Sequence, residues 1–107
     1  MSDQASSVDL LERRLTLVGE ISAFNAQALR LVQMLAGAEM EMLRLELEAA
    51  KTGARTELVQ DLHEAEEHAA AIQVRLGECN DRIAEVEQEV TEIDRLLAMA
   101  PDGRKNT

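Results

Sequence analysis

The sequence predicts an all-α fold: a long antiparallel two-helix coiled-coil hairpin, expected to dimerise into a four-helix bundle. Three observations carry that expectation. The chain has one Phe, one Pro, no Trp and no Tyr, while 46% of its 107 residues are apolar. Strands draw on β-branched and aromatic residues to cover a pleated face, whereas Leu, Ala, Glu, Arg and Gln lose little freedom in a helix. Both halves of the chain carry apolar residues at alternating spacings of three and four, the signature of a helix seam. The two seams fall out of phase at one glycine, Gly53.

The first segment, residues 1–6, reads as a polar tail ahead of the helical pattern. Ser6 with Asp9 three residues later is a weak capping box. Helix one then runs from about 7 to 51. Its seam is Leu10, Arg14, Leu17, Ile21, Phe24, Ala28, Leu31, Leu35, Ala38, Met42, Leu45 and Ala49, with Arg14 the sole interruption. A turn is expected over about 52–55, because Lys51 suits a last helical turn and Gly53 the position just past it.

Helix two is expected over about 56–100, closed by Pro101, since the residue before a proline avoids the α region. Its seam is Leu58, Leu62, Ala65, Ala69, Ile72, Leu76, Cys79, Ile83, Val86, Val90, Ile93 and Leu97, and every position is apolar. For a chain that is 46% apolar, a preset register would do this by accident about once in ten thousand trials. Residues 101–107 read as a second tail.

Antiparallel pairing makes residue numbers across the seam sum to a constant. Leu45 with Leu62, Leu35 with Ile72, Phe24 with Ile83 and Leu17 with Val90 all sum to 107, which centres the reversal beside Gly53. The seven-residue repeat would place it that close by chance about one time in seven. The pairing sets Ala38 against Ala69 beside Gly37, a point of close approach, and Ala28 against Cys79. It sets Arg14 against Ile93, from where the guanidinium can reach outward to Asp94 or Glu89.

One residue off each seam, the helices differ. The flanks of helix two are polar, so it has one apolar face and needs one neighbour. Helix one has a second apolar stripe: Leu11, Leu15, Val18, Ser22, Asn25, Leu29, Val32, Ala36 and Leu43, joined by Leu47 (with Met40) as the stripe drifts around a straight helix. Helix two cannot cover it. An exposed apolar stripe marks an interface, so the expected partner is a second copy, or else an amphipathic helix of another protein. Ser22 and Asn25 interrupt the stripe and either specify register or lie at its rim.

The sequence points away from other chemistries. "HEAEEH", His63 to His68, has metal-ligand residue types at i, i+4 spacing, but the protease forms need a second histidine at 67 or 64, where this chain has Glu67 and Glu64. The pairs His63–Glu67 and Glu64–His68 point about 100° apart on a helix and cannot converge on one ion. No metal, cofactor or catalytic residue is expected, and the chain is not expected to be an enzyme. The single cysteine, Cys79, lies in the seam among Glu78, Asn80 and Asp81, a setting that suits a small buried side chain better than a nucleophile.

Net charge is −10, with 12 acids and 4 bases in residues 52–100 against 8 and 5 in residues 1–51. Phosphate backbones and anionic membrane surfaces attract the opposite sign, so neither nucleic acid nor membrane is expected as a partner. The opening "MSDQASSVD" has no basic or apolar stretch of a signal peptide, and no apolar run approaches the ~20 residues of a membrane span. A cytoplasmic, non-enzymatic coiled-coil scaffold or assembly component is the expected function, with a small helical adaptor or chaperone as the alternative.

Overall fold

A computed structural model describes residues 3–99, with side chains from 7 to 99. The described residues form two helices and no strand: α1 (Asp3–Thr52) and α2 (Thr56–Met99), joined by residues 53–55 as a hairpin. The chain divides into two compact units, one of residues 27–79 containing the turn, the other of residues 1–26 with 80–107. Ala100, the 101–107 tail and the first two residues lie outside the described residues.

In the turn unit, α1 ends where the sequence supplies a residue able to leave the helix backwards. Gly53 has φ +93°, a value that side chains with a Cβ rarely adopt. Its N–H donates to the carbonyl of Ala49 at 2.9 Å, a one-bond left-handed cap on the helix end. Two residues on, the Arg55 N–H donates to the Gly53 carbonyl at 3.0 Å, turning the chain in the fewest residues. The Arg55 carbonyl then accepts from Val59 N–H at 3.0 Å, so Arg55 stands at the N-cap of α2. The core of this unit is Leu31, Ala38, Leu45, Leu58, Ala69, Ile72 and Cys79.

The other unit buries Leu17, Val86 and Ile93, with Leu10, Ile21, Phe24, Val90 and Leu97 packed around them. The interruption expected at Arg14 resolves as a bond across the seam. Arg14 Nε donates to Asp94 Oδ1 at 2.6 Å, and its second nitrogen reaches Oδ2 at 3.4 Å. Of the two acids within expected reach, Glu89 goes instead to the neighbouring Arg13, at 3.1 Å. Arg82 lies over the Phe24 ring, 5.9 Å from its centroid, so the lone aromatic is capped by a cation from the facing helix.

Burial follows the seams closely. The twelve heptad positions of α2 are its only described residues that are not exposed. All twelve of α1 are likewise buried or half-buried, with Ser7, Glu20, Gln27 and Glu48 the other covered positions. Within most layers one side chain is buried and its opposite number only half-buried: Leu17 over Val90, Leu31 over Leu76, Ile72 over Leu35, Val86 over Ile21. Two helices leave each layer open at its edges, so a single knob is enclosed and its mate closes one side. In three layers, Leu10 with Leu97, Phe24 with Ile83 and Met42 with Ala65, both are half-buried, and in one, Ala38 with Ala69, both are buried. Small side chains on both helices let the backbones close over them.

The start of α1 differs from expectation. The helix begins at Asp3, not near 7, and runs through Ser6, which therefore does not cap it. No Gly or Pro between 3 and 9 opposes the helix. The turn is one residue shorter than expected because Thr52 stays helical; its hydroxyl donates to the Glu48 carbonyl at 2.8 Å.

Glycine substitutions separate the roles of backbone and packing. Gly53→Ala forces a Cβ into the left-handed region and is expected to destabilise the hairpin by about 1–2 kcal/mol. Gly77, mid-way along α2, has open space where a Cβ would sit. Gly77→Ala is expected to stabilise by about 0.5–1 kcal/mol through helix propensity alone. Urea melts followed by circular dichroism check both signs.

The Arg14 hydrogen bond, followed by its charge, holds the Asp94 carboxyl below its ordinary pKa. A depressed carboxylate contributes stability above its unfolded pKa, and the contribution is lost as pH falls through the folded one. Asp94→Asn is therefore expected to melt below the parent at pH 7, and the gap to close in acid as Asp94 protonates. Thermal melts of both chains across the acid range read this directly.

Candidate partner interface

The second stripe of α1 is a consequence of helical geometry. One residue along a helix turns by about 100°, so positions next to the seam form a neighbouring row that α2 reaches only at its edge. In the unit without the turn, this row exposes Leu11 (54%), Leu15 (75%) and Val18 (41%), followed by exposed Ser22 and Asn25. In the turn unit it exposes Leu29 (59%), Val32 (48%), Leu43 (57%) and Leu47 (61%), with Ala36 also exposed. Every residue assigned to the partner face from sequence is thus open in the hairpin.

The row also takes in Val8, which the sequence reading left out, and Met40, which that reading reached only by letting the stripe drift. Val8, half-exposed, extends it one step toward the N-terminus. Met40, at 69%, occupies the step between Ala36 and Leu43, where a strict heptad would use Glu39. The signal for Val8 was the three-four spacing carried one step past Leu11, and for Met40 the drift of the stripe. From Val8 to Leu47 the steps are three or four throughout, with one doubled four at Met40.

The exposed large apolar residues of α2 are Val59, Val74, Leu96 and Met99. Only Leu96 and Met99, three residues apart, adjoin on one face; Val59 and Val74 stand far from them and from each other along the helix. Apolar surface left over by the hairpin is therefore concentrated on α1, and α2 spends its apolar residues on the seam.

The outer surfaces carry charge in local pairs. Arg44 grips Glu41 at 2.8 Å and Glu48 at 3.3 Å along α1, and Arg82 meets Glu85 at 3.0 Å on α2. Hydrogen bonds from Arg44 and Arg95 hold the Glu41 and Glu92 carboxyls below their ordinary pKa. These pairs are exposed, and their weight in stability is small.

The histidine-rich stretch lies on this outer surface of α2. His63 Nε2 is 3.6 Å from Glu67 Oε2, with both side chains well exposed. Glu64 and His68 are exposed on the adjoining face. Among the described residues no three His, Cys, Asp or Glu side chains gather around a common point. Cys79 is buried in the seam and forms no disulfide. Among the described residues, no helix is long and apolar enough to cross a membrane. Compared with known proteins, the chain matches no family, no curated protein and no solved structure.

Two exposed ligands per face hold a metal ion weakly. One equivalent of Zn²⁺ is accordingly expected to leave the melting temperature unchanged, and a rise of several degrees would reveal a site this geometry does not provide.

Proposed function

We propose that this chain is a non-enzymatic coiled-coil assembly component that works through protein–protein contacts, and that it self-associates through the second stripe of α1, helix one against helix one. One observation carries the reading: the hairpin covers the seam and leaves a regular three-four row of large apolar side chains open on α1 alone. Closing the remaining exposed half of each Leu or Val returns about 1 kcal/mol. Packing two hairpins along this row yields a four-helix bundle with α1 of each copy at its centre.

Charge supports a protein partner over a polyanion. At −10 the chain repels phosphate backbones and anionic lipid. The lone thiol, sheltered in the seam, suits a reducing compartment such as the cytoplasm. A foreign amphipathic helix would satisfy the same row by the same physics; a second copy needs nothing beyond this chain.

Size-exclusion chromatography with light scattering tests the reading. At micromolar concentration the chain is expected to run at twice its own mass or more. Leu29→Glu, which puts a charge in the middle of the row, is expected to shift it to the single-chain mass. A parent chain that runs as a stable monomer would overturn self-association.

A further inference from the structure

Resting on the reading that the open row of α1 is a protein-binding surface, we infer that in the turn unit it takes an amphipathic helix of another protein, one with Lys or Arg along its edges, in preference to a second copy. The argument is one of charge. In this unit the row presents Leu29, Val32, Met40, Leu43 and Leu47, all exposed.

In an antiparallel heptad pair, residues that follow the seam on one helix lie on the same side as residues that follow it on the other. The row of α1 therefore shares its side with Val59, Glu66, Ala70 and Gly77 of α2. Val59 is exposed and carries the apolar surface onto α2. Ala70 is small, and Gly77 has open space where a Cβ would stand. A third helix can thus approach α2 closely while it covers the large side chains of α1.

The charge on this side has one sign. Glu39 follows Ala38, and Glu66 follows Ala65, the residue facing Met42 one layer on, so the two carboxylates emerge opposite each other across the seam. Glu46 stands one heptad further along α1. Among the described residues, none of the three has an ion-pair partner. His63, the other titratable group on this side, lies 3.6 Å from Glu67.

The bases of the unit are elsewhere. Arg30, Arg44 and Lys51 are spaced by multiples of seven and form one stripe on the far side of α1. Arg44 is already gripped there by Glu41 and Glu48. Arg75 precedes its seam residue, Leu76, and emerges on the opposite side of α2, and Arg55 lies in the turn.

A second copy covers hydrocarbon with hydrocarbon, but it brings its own Glu39 and Glu46 to the same surface and keeps its bases behind. A helix with the same three-four row and Lys or Arg on its edges covers the hydrocarbon equally and answers all three acids. Exposed ion pairs are individually weak; three together favour such a helix by about tenfold.

Fluorescence anisotropy with two labelled synthetic peptides tests this on the full chain. Both are helices of about four heptads with leucine at the seam positions; one carries Lys at the flanking positions, the other Gln. The Lys peptide is expected to bind about tenfold tighter. That advantage is expected to vanish in the triple variant Glu39→Gln, Glu46→Gln, Glu66→Gln. It is expected to persist in Glu57→Gln, Glu64→Gln, Glu78→Gln, which removes the same charge from another side of α2; circular dichroism checks that both variants stay helical. In light scattering, the Lys peptide is expected to convert the self-associated chain to one chain with one peptide. No binding of the Lys peptide, equal affinity for the two peptides, or an advantage lost in both variants alike would overturn the inference. So would a peptide that joins the self-associated chain without dividing it, and in each of these cases self-association would stand. A parent chain that is monomeric before any peptide is added would overturn self-association alone, and the anisotropy would still decide the preference for a basic helix.

Discussion

Everything in this molecule hangs on a narrow strip of knobs where α1 and α2 meet. A helix pair has no wide core; each layer is one side chain from each helix, and the chain has a single aromatic to thicken any of them. Enclosure is therefore partial nearly everywhere, with one residue sealed and its mate half open. The alternation of Leu, Ile and Val with Ala and Cys lets the helices stay close despite that thinness. The Ala38–Ala69 layer is where closeness substitutes for bulk: neither side chain offers much surface, yet both are covered.

A seam of this kind slides easily, because one heptad resembles the next. What holds the register is a few features that occur once. Gly53 permits a reversal that a Cβ would resist, and it lies where the two heptad frames demand it. The bidentate Arg14–Asp94 bond and the Arg82–Phe24 contact belong to the other unit and match only one alignment of the helices there. Arg14 breaks the apolar rule of its own seam, and the facing helix answers it with a carboxylate. The exposed ion pairs within each helix lack this specificity, since they would form in any register.

The asymmetry between the helices carries the functional proposal. α2 spends most of its large apolar side chains on α1 and turns charge outward. α1 has two apolar rows and one neighbour. Soluble helices rarely keep a regular row of large hydrocarbon side chains facing water, because each such group orders or excludes water at a cost that packing removes. A partner that buried the polar interruption at Ser22 and Asn25 would have to answer it with hydrogen-bonding groups, which a purely apolar helix does poorly.

Most of this was legible from sequence because heptad spacing is a local, repeated signal. The twelve seam positions of each helix, the reversal at Gly53, the close Ala38–Ala69 layer and the open row from Leu11 to Leu47 all follow from counting threes and fours. The N-terminus of α1 was not, since a short polar stretch without Gly or Pro is compatible with helix or tail, and Ser6 reads as a cap only if the helix starts there. The partner row was drawn one step short, without Val8, while Met40 entered it only once the drift of a straight helix away from a strict seven-residue frame was allowed. Periodicity determines which faces are apolar, and hence which helix has surface to spare. It does not determine which of two nearby acids Arg14 takes, which residue of a layer is sealed, or that Arg82 closes over Phe24. Those outcomes depend on distances between side chains far apart in the chain, and only the folded hairpin brings them within reach of each other.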